Sequence, residues 1–226
     1  MIDRLDLQGF DISDKSAAVI GCGGLGCNVA THLACAGIGR LILCDGDTVS
    51  ESNLNRQFLY TAADIGKEKV FLAKERLSAT APQTEIAAFH RRIEAPEDLS
   101  FASDADIVFA ALDNNAARLV LQAFCKQKNL PLVNGGVNGF FGTAYLYLPG
   151  KTPDLTAAGM LATENKKTRS VSSTVGVIGA LEAHLGIRYL TGHTENAGKL
   201  HIFDDGEING LPIAGNAAPQ CRSLLL

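Results

Sequence analysis

A glycine-rich segment near the start of the chain carries the first residue types that point to chemistry. Gly21, Gly23, Gly24 and Gly26 follow a short apolar run, and Asp45 stands nineteen residues beyond Gly26. Glycines let a backbone approach a phosphate, a helix that begins there offers free N–H groups, and a later acid binds ribose hydroxyls. The pattern predicts a nucleotide site but leaves NAD, FAD and ATP open, and such glycines can also serve only as a tight turn.

Two cations that follow the acidic pair of Asp45 and Asp47 separate these nucleotides. Arg56 and, thirteen residues later, Lys69 come after them in the chain. A dehydrogenase has no use for two cations near its ribose acid, whereas an enzyme that cleaves a triphosphate does, because they neutralise charge that develops on the phosphates. Taken singly, Arg56 fits a surface ion pair and Lys69 a solvated helix face. Their joint placement favours triphosphate chemistry, with both residues as catalytic candidates.

Asp113 and Asn114 follow another apolar run, at the predicted end of a strand. Ligands of open α/β sheets lie at the carboxyl ends of the strands, so Asp113 is expected to face the crevice of the glycine segment. A carboxylate beside a polyphosphate is a natural Mg²⁺ ligand. Either residue would also serve as an N-cap for the next helix, and the two roles are compatible. We therefore take Asp113 as a catalytic and metal-binding candidate.

Hydrophobic periodicity predicts an α/β, Rossmann-like fold with a mostly parallel twisted sheet, helices on both faces, and a carboxyl-terminal helix plus hairpin. We expect strands over residues 16–21, 40–45, 84–90, 106–112 and 131–134, a half-exposed edge strand over 142–148, and a hairpin of 199–203 with 207–213. We expect helices over about 28–36, 64–81, 114–128 and 172–191. The polar stretch 151–170 has no clear period and is interpreted as a functional crossover loop within a single domain, 1–226.

The composition narrows the class of protein. The chain has 226 residues, 46% of them hydrophobic, with 20 Lys+Arg against 24 Asp+Glu. A mildly acidic balance argues against a protein that coats nucleic acid. No apolar run reaches the ~18 residues of a membrane span, and the opening residues do not read as a signal peptide. We therefore expect a cytoplasmic protein with neither nucleic-acid nor membrane partners.

The cysteines are interpreted as small buried side chains in a reducing compartment. No two of them have C-x-x-C spacing, and a structural zinc site needs clustered thiolates, so no zinc is expected. The six are Cys22, Cys27, Cys35, Cys44, Cys125 and Cys221.

Taken together, these motifs resemble one known family, the ThiF/MoeB/HesA adenylyltransferases, bacterial relatives of ubiquitin-activating enzymes. The resemblance runs from about residue 15 to 213, and its most specific part is the string Ser-Asn-Leu-Asn-Arg-Gln at 52–57. The other matching motifs are the glycine segment at 21–26, Leu-x-Asp-x-Asp-x-Val at 43–49, Asp-x-Gly-x-x-Lys at 64–69, and Asp-Asn at 113–114.

The resemblance implies a reaction in which ATP and the terminal carboxylate of a small ubiquitin-like carrier, usually ending Gly-Gly, give an acyl-adenylate and pyrophosphate. It implies phosphate contacts at the glycines, ribose contacts at Asp45, and Mg²⁺ at Asp113. No side-chain nucleophile is needed, because the carboxylate itself attacks the α-phosphorus. The full predicted nucleotide-binding set is Gly21, Gly23, Gly24, Gly26, Asp45, Asp47, Ser52, Asn53, Asn55, Arg56, Gln57, Lys69, Asp113 and Asn114.

Three departures from the family pattern matter. The two C-x-x-C pairs that bind zinc in many members are missing, and only Cys221 stands near the end of the chain. Residues 165–174 hold no cysteine for covalent transfer, so we expect no enzyme thioester there. The amino-terminal arginine segment that reaches the partner subunit in a symmetric homodimer is also missing, and Arg4 is the candidate to replace it.

Other functions stay open at this stage. One is adenylation of a peptide or amino-acid carboxylate in a modification pathway. Another is a scaffold partner that has lost turnover, against which the retained Arg56, Lys69 and Asp113 argue. An NAD-dependent oxidoreductase is the alternative that the fold alone would allow. The sequence names neither the pathway nor a sulfur donor protein.

Overall fold

Strands and helices alternate along the part of the chain that the computed structural model describes, residues 10–161 and 170–213. The strands are β1 (Ser16–Ile20), β2 (Arg40–Cys44), β3 (Glu85–Phe89), β4 (Ile107–Ala110), β5 (Leu132–Asn138), β6 (Phe141–Tyr147), β7 (Lys199–Asp204) and β8 (Glu207–Pro212). The helices are α1 (Gly24–Cys35), α2 (Lys69–Thr80), α3 (Asn115–Lys128) and α4 (Ser172–Leu190). Short 3₁₀ helices cover Glu51–Asn53, Ala62–Asp64 and Pro96–Ala102.

The strands form one eight-stranded sheet in the order β3-β2-β1-β4-β5-β6-β7-β8. The pairs from β3 to β5 are parallel, and the three pairs from β5 to β8 are antiparallel. Strands that are covered on both faces need apolar side chains throughout, and all four residues of β4 are buried. The predicted Rossmann-like fold, with its carboxyl-terminal helix and hairpin, is confirmed.

Apolar residues of the sheet pack against helices on both faces. On one face, Val29 and Leu33 of α1, Leu77 of α2 and Leu185 of α4 join a buried cluster with alternate strand residues. On the other face, the buried cluster includes α3 and the 3₁₀ helix Pro96–Ala102, which the sequence did not predict. Within the described ranges, no helix combines the length and the apolar character that crossing a membrane would require.

Two helices begin at different residues from those predicted. The first was expected from about residue 28, but α1 begins at Gly24, because the glycine segment opens directly into the helix. The second was expected over 64–81, but α2 begins at Lys69. Gly66 has φ +88°, which right-handed helix geometry excludes, so the chain turns there and the helix starts after it.

The strand predicted as a half-exposed edge is an interior strand. β6 lies between β5 and β7, and six of its seven residues are buried. The edge position belongs to β8, all of whose residues are exposed. β5 also continues beyond the predicted residue 134, because its last four residues pair with β6 in a hairpin.

The close contact between α1 and the loop before it depends on Gly26. A Cβ atom at this position would lie 1.8 Å from the carbonyl oxygen of Gly21 and 3.2 Å from the Cβ of Ala111. The obstacle is backbone, so no rotamer change can relieve it. Gly26 therefore sets how closely the helix approaches the carboxyl end of β1.

We expect Gly26→Ala to lower the free energy of unfolding by about 1–3 kcal/mol, because the added methyl group overpacks this contact. Gly176→Ala in α4 is the matched control, since no atom of the described residues lies within 4 Å of its Cβ position. The control should be more stable by about 0.5–1 kcal/mol, as expected for Gly to Ala in a helix. Urea unfolding measures both, and equal midpoints for Gly26→Ala and the wild type would contradict this account.

Candidate active site

A cavity of about 990 Å³ opens at the carboxyl ends of β1, β2 and β4. β1 has β2 on one side and β4 on the other, so the direction in which strands are added to the sheet reverses at β1. Open α/β sheets bind ligands at this switch point, because the loops diverge there and leave a crevice. The cavity is large enough for a nucleotide, since small-molecule sites span about 300–1,000 Å³.

Most of the predicted site residues meet in this cavity. Those that line it are Gly21, Gly23, Gly24, Asp45, Asp47, Asn53, Arg56, Gln57, Lys69, Asp113 and Asn114. Three others, Gly26, Ser52 and Asn55, are not among the lining residues. Gly26 packs against the backbone of Gly21, whereas Ser52 and Asn55 contact the side chain of Arg56. Arg4 lies outside the described residues.

The glycine segment forms a cradle of bare backbone. Gly21 has φ +99°, and a Cβ there would lie 2.3 Å from the carbonyl oxygen of Ala111. A Cβ at Gly24 would lie 2.8 Å from a methyl carbon of Val175 in α4. The first N–H groups of α1 have no partner within the helix, and they begin at this loop. Such a bare helix start is suited to an anion, so the cradle fits a phosphate group.

Asp45 supports this loop from the end of β2. Its two carboxylate oxygens accept hydrogen bonds from the backbone N–H groups of Cys22, at 2.6 Å, and Asp47, at 2.7 Å. Burial raises the pKa of Asp45, and the two N–H donors oppose that shift. The predicted ribose acid therefore also fixes the backbone on which the cradle is built.

A three-residue charge cluster forms the next part of the wall. The side chain of Asp47 lies 3.3 Å from Lys69 Nζ and 3.3 Å from an Arg92 guanidinium nitrogen. Lys69 is only 5% exposed, so the ion pair with Asp47 replaces the water that burial removes from its ammonium group. A bound polyphosphate would offer both cations a second set of oxygen partners.

Arg56 is held by its own loop. Its guanidinium donates hydrogen bonds to the carbonyl oxygen of Ser52 and to Oδ1 of Asn55, each at 2.9 Å.

Gln57 is 3% exposed, and its Oε1 has no hydrogen-bond partner among the described residues. A buried amide oxygen without a donor is unfavourable by about 1–3 kcal/mol. A ligand hydroxyl or a water would satisfy this group.

Asp113 stands on the opposite side of the cradle, at the end of β4, and it is exposed. Asn114 caps α3, because its Oδ1 accepts a hydrogen bond from the N–H of Ala117 at 2.8 Å. The helix-capping role of this pair therefore falls to Asn114. Asp113 itself lines the cavity, and its carboxylate is the type of ligand that a hard cation takes.

Three arginines that line the cavity were missed in the sequence. Arg91 and Arg92 follow β3, and the rule that strand ends meet at one edge would have found them. Gly46 allows their approach, because a Cβ there would lie 2.6 Å from the Arg92 side chain. Arg118 lies inside α3, and no local pattern distinguishes it from an ordinary helix residue.

The described cysteines offer no ready nucleophile beside the cradle. Cys22, Cys27, Cys44 and Cys125 are buried, and burial raises the pKa of each thiol, to about 12 for Cys27 and Cys44. Among the described cysteines, only Cys35 is exposed. The expected buried thiols are confirmed for four of the six cysteines. The expectation is wrong for Cys35, which ends α1 at the surface, and Cys221 lies outside the described residues.

Comparison with known protein families gives one match over nearly the whole chain. The ThiF family matches residues 6–223. The sulfur carrier protein ThiS adenylyltransferase of Escherichia coli is 33% identical over 98% of this chain and 90% of its own length. The molybdopterin-synthase adenylyltransferase of the same organism is 35% identical over 89% of this chain and 86% of its own length. These are the relatives that the sequence motifs predicted.

Solved structures agree with this match. A crystal structure of E. coli MccB with ATP superimposes with a TM-score of 0.79 at 25% identity. The superposition covers 92% of this chain but only 66% of the MccB chain. The same enzyme with AMPCPP and MccA gives the same TM-score.

The thiol environments lead to a labelling prediction. In a Cys221→Ser background, we expect a thiol reagent to modify one cysteine of the native protein, Cys35, because thiolates and not thiols react. The other four cysteines should react only after unfolding in urea. Mass spectrometry of the labelled peptides identifies the sites, and Cys35→Ser should abolish native labelling. Rapid modification of Cys22 or Cys27 in the native protein would contradict this description.

Proposed function

Because the chain belongs to the ThiF family, we propose that it adenylates the terminal carboxylate of a small ubiquitin-like sulfur-carrier protein with ATP. The relatives support this class of reaction, since two of them are named as adenylyltransferases that serve a sulfur carrier or molybdopterin synthase. The observation that carries the proposal is the convergence of Arg56, Lys69 and Asp113 on one cavity with the glycine cradle.

The proposed reaction is a direct displacement. A carboxylate oxygen of the carrier attacks the α-phosphorus of ATP, a new P–O bond forms, and the bond to the β-phosphate breaks to release pyrophosphate. No proton has to move, so the protein needs neither a general base nor a nucleophile. Its contributions are positioning of the two anionic reactants and stabilisation of charge on the phosphates. The N–H groups of the cradle, with Arg56 and Lys69, supply the positive side of this arrangement.

The donor set on the other wall fits Mg²⁺. Asp113 presents one exposed carboxylate near the cradle, and Mg²⁺ in nucleotide sites takes one or two carboxylates together with phosphate oxygens. When bound, the ion would neutralise charge on the phosphates. Asp113 would hold it, while Asp47 stays committed to Lys69 and Arg92.

The alternatives are separable by the choice of carboxylate. The likeness to MccB structures with MccA keeps adenylation of a peptide carboxylate as the second candidate. A scaffold protein without turnover would bind nucleotide and catalyse nothing. We favour the carrier because the two adenylyltransferase relatives are covered almost completely, whereas MccB extends well beyond this chain.

We expect Mg²⁺-dependent exchange of pyrophosphate into ATP that appears only when a carrier ending in Gly-Gly is added. Arg56→Ala and Asp113→Ala should each lower this exchange by ~10²–10³, the usual effect of removing one electrostatic stabiliser. Radiolabelled pyrophosphate incorporation measures the rate, and circular dichroism checks the fold of each variant.

Arg40→Ala and Asp14→Ala are matched controls for these substitutions. Asp14 pairs with the half-buried Lys15 and Arg40 with the exposed Glu85, and neither Asp14 nor Arg40 lines the cavity. Their exchange rates should stay within twofold of the wild type. Near-normal exchange in a folded Asp113→Ala protein would remove the proposed role of Asp113, and exchange with a short peptide but not with a carrier would favour the second candidate.

We further propose that the adenylate passes to an outside sulfur or amine nucleophile, such as one on a sulfur donor protein, and not to a cysteine of this chain. The described cysteines support this, since four are buried and Cys35 does not line the cavity. Cys221 is the remaining candidate. Non-reducing mass spectrometry after incubation with ATP and carrier should show no enzyme–carrier adduct. An adduct that disappears in Cys221→Ser would overturn the proposal.

A further inference from the structure

The guanidinium of Arg118 links three segments of the cavity wall. Its Nε and Nη2 donate to the carbonyl oxygen of Leu112, at 3.0 and 2.7 Å, and Nη2 also donates to that of Gly135, at 2.9 Å. Its Nη1 donates to the carbonyl oxygen of Met160, at 3.3 Å. The planar guanidinium presents five N–H groups in fixed directions, which the point charge of a lysine cannot reproduce. The identity of the side chain therefore matters at this position.

The contact with Leu112 bears directly on Asp113. The carbonyl of Leu112 belongs to the peptide plane that leads into Asp113, so two hydrogen bonds fix the plane from which the Asp113 side chain departs. The next residue, Asn114, is held in turn because its side chain caps α3. Because Asp113 is exposed, its backbone is what sets where its carboxylate can reach.

Gly135 of β5, whose carbonyl accepts from Arg118, is also in contact with Glu182 of α4. A Cβ at Gly135 would lie 2.4 Å from Cδ of Glu182, so the glycine allows the carboxyl group to rest against the strand. Glu182 is 0% exposed, and no described residue meets its carboxyl oxygens in hydrogen-bond geometry, although the backbone N–H of Gly135 lies close enough to favour the charged form. Arg118 and Glu182 thus hold the same residue of β5 from two different helices.

Among the described residues, the charged group that acts on Glu182 is Arg118. Four residues that lie against α4 from the elements packed on it are uncharged: Asn28 of α1, Phe109 of β4, Gly135 of β5 and Gly142 of β6. Burial raises the pKa of Glu182 to about 8 although Arg118 favours the charged form. At neutral pH the group is therefore mostly an uncharged acid.

We propose that Arg118 is a positioning residue, which fixes the Leu112–Asp113 peptide against β5 so that Asp113 reaches the reacting phosphates, and that Glu182 supports the same point from α4. The inference rests on the proposed adenylation, because that reaction is what assigns Mg²⁺ binding to Asp113. It adds a residue of the cavity wall whose guanidinium hydrogen bonds go to backbone carbonyl oxygens, so that it acts through Asp113.

The first test compares Arg118→Lys with Arg188→Lys, a control in α4 whose partner is Glu195 at the surface. We expect Arg118→Lys to lower the maximal rate of pyrophosphate exchange up to about 10²-fold, because a small misplacement of Asp113 has an effect of this size. The Mg²⁺ concentration at which ATP gives half of its maximal stabilisation in thermal unfolding should rise. The KM for ATP should change less than threefold, because the cradle is intact. Unchanged exchange and Mg²⁺ requirement in the folded variant would overturn the inference.

Glu182→Gln is the second test, and it keeps shape while removing the titration. Wild-type unfolding free energy should fall relative to the variant as pH rises from about 4.5 to about 8, because the buried acid is more easily deprotonated in the unfolded chain.

The wild-type exchange rate should also fall above pH 8, because the ionised carboxylate of Glu182 draws Arg118 from its carbonyl partners. The exchange rate of Glu182→Gln should lack that fall. Identical pH profiles of exchange in the wild type and Glu182→Gln would overturn the inference. This comparison does not depend on whether Arg118→Lys folds. Absence of exchange in the wild type with every carboxylate would instead refute the adenylation itself.

Discussion

The structure depends on one backbone contact, the approach of the Gly26 turn of α1 to Gly21 at the end of β1. Without side chains at these positions, the helix begins directly beside the strand, and its first residues line the crevice. Any larger residue would push α1 away, and α4, which packs along α1, would follow. The same contact therefore sets the geometry of both the cradle and the helix layer above the sheet.

Two enclosed cations among the described residues, Lys69 and Arg118, already have partners in the free protein. Lys69 lies beside Asp47, which also pairs with the exposed Arg92, and Arg118 lies among three carbonyl oxygens. Burial of Lys69 or Arg118 without partners would cost several kcal/mol each. A polyphosphate that enters the cavity exchanges one set of partners for another, so its recognition does not require a large rearrangement of charge.

The sequence predicted much of the fold and most of the candidate site because both depend on local pattern. Apolar runs gave β1, β2 and β4, and the glycine spacing gave the loop between β1 and α1. The position of β6 could not be predicted, because its alternation of Gly142, Thr143 and Ala144 resembles an edge until the hairpin of β7 and β8 covers it. The roles of Arg118 and Glu182 could not be predicted either, because the two residues meet at Gly135 only through packing between segments that are distant in sequence.

The glycines of the cradle are under different kinds of constraint, and this separates folding from function along a segment of six residues. Gly21 and Gly26 are required by backbone collisions. Gly23 has a negative φ, −79°, and among the described residues a Cβ there would meet the Gln57 side chain alone, at 3.6 Å. Side chains at 21 and 26 would lower the free energy of unfolding, whereas an alanine at 23 would mainly change the space left for a ligand. Selection for activity can therefore be read at Gly23 without interference from selection for stability.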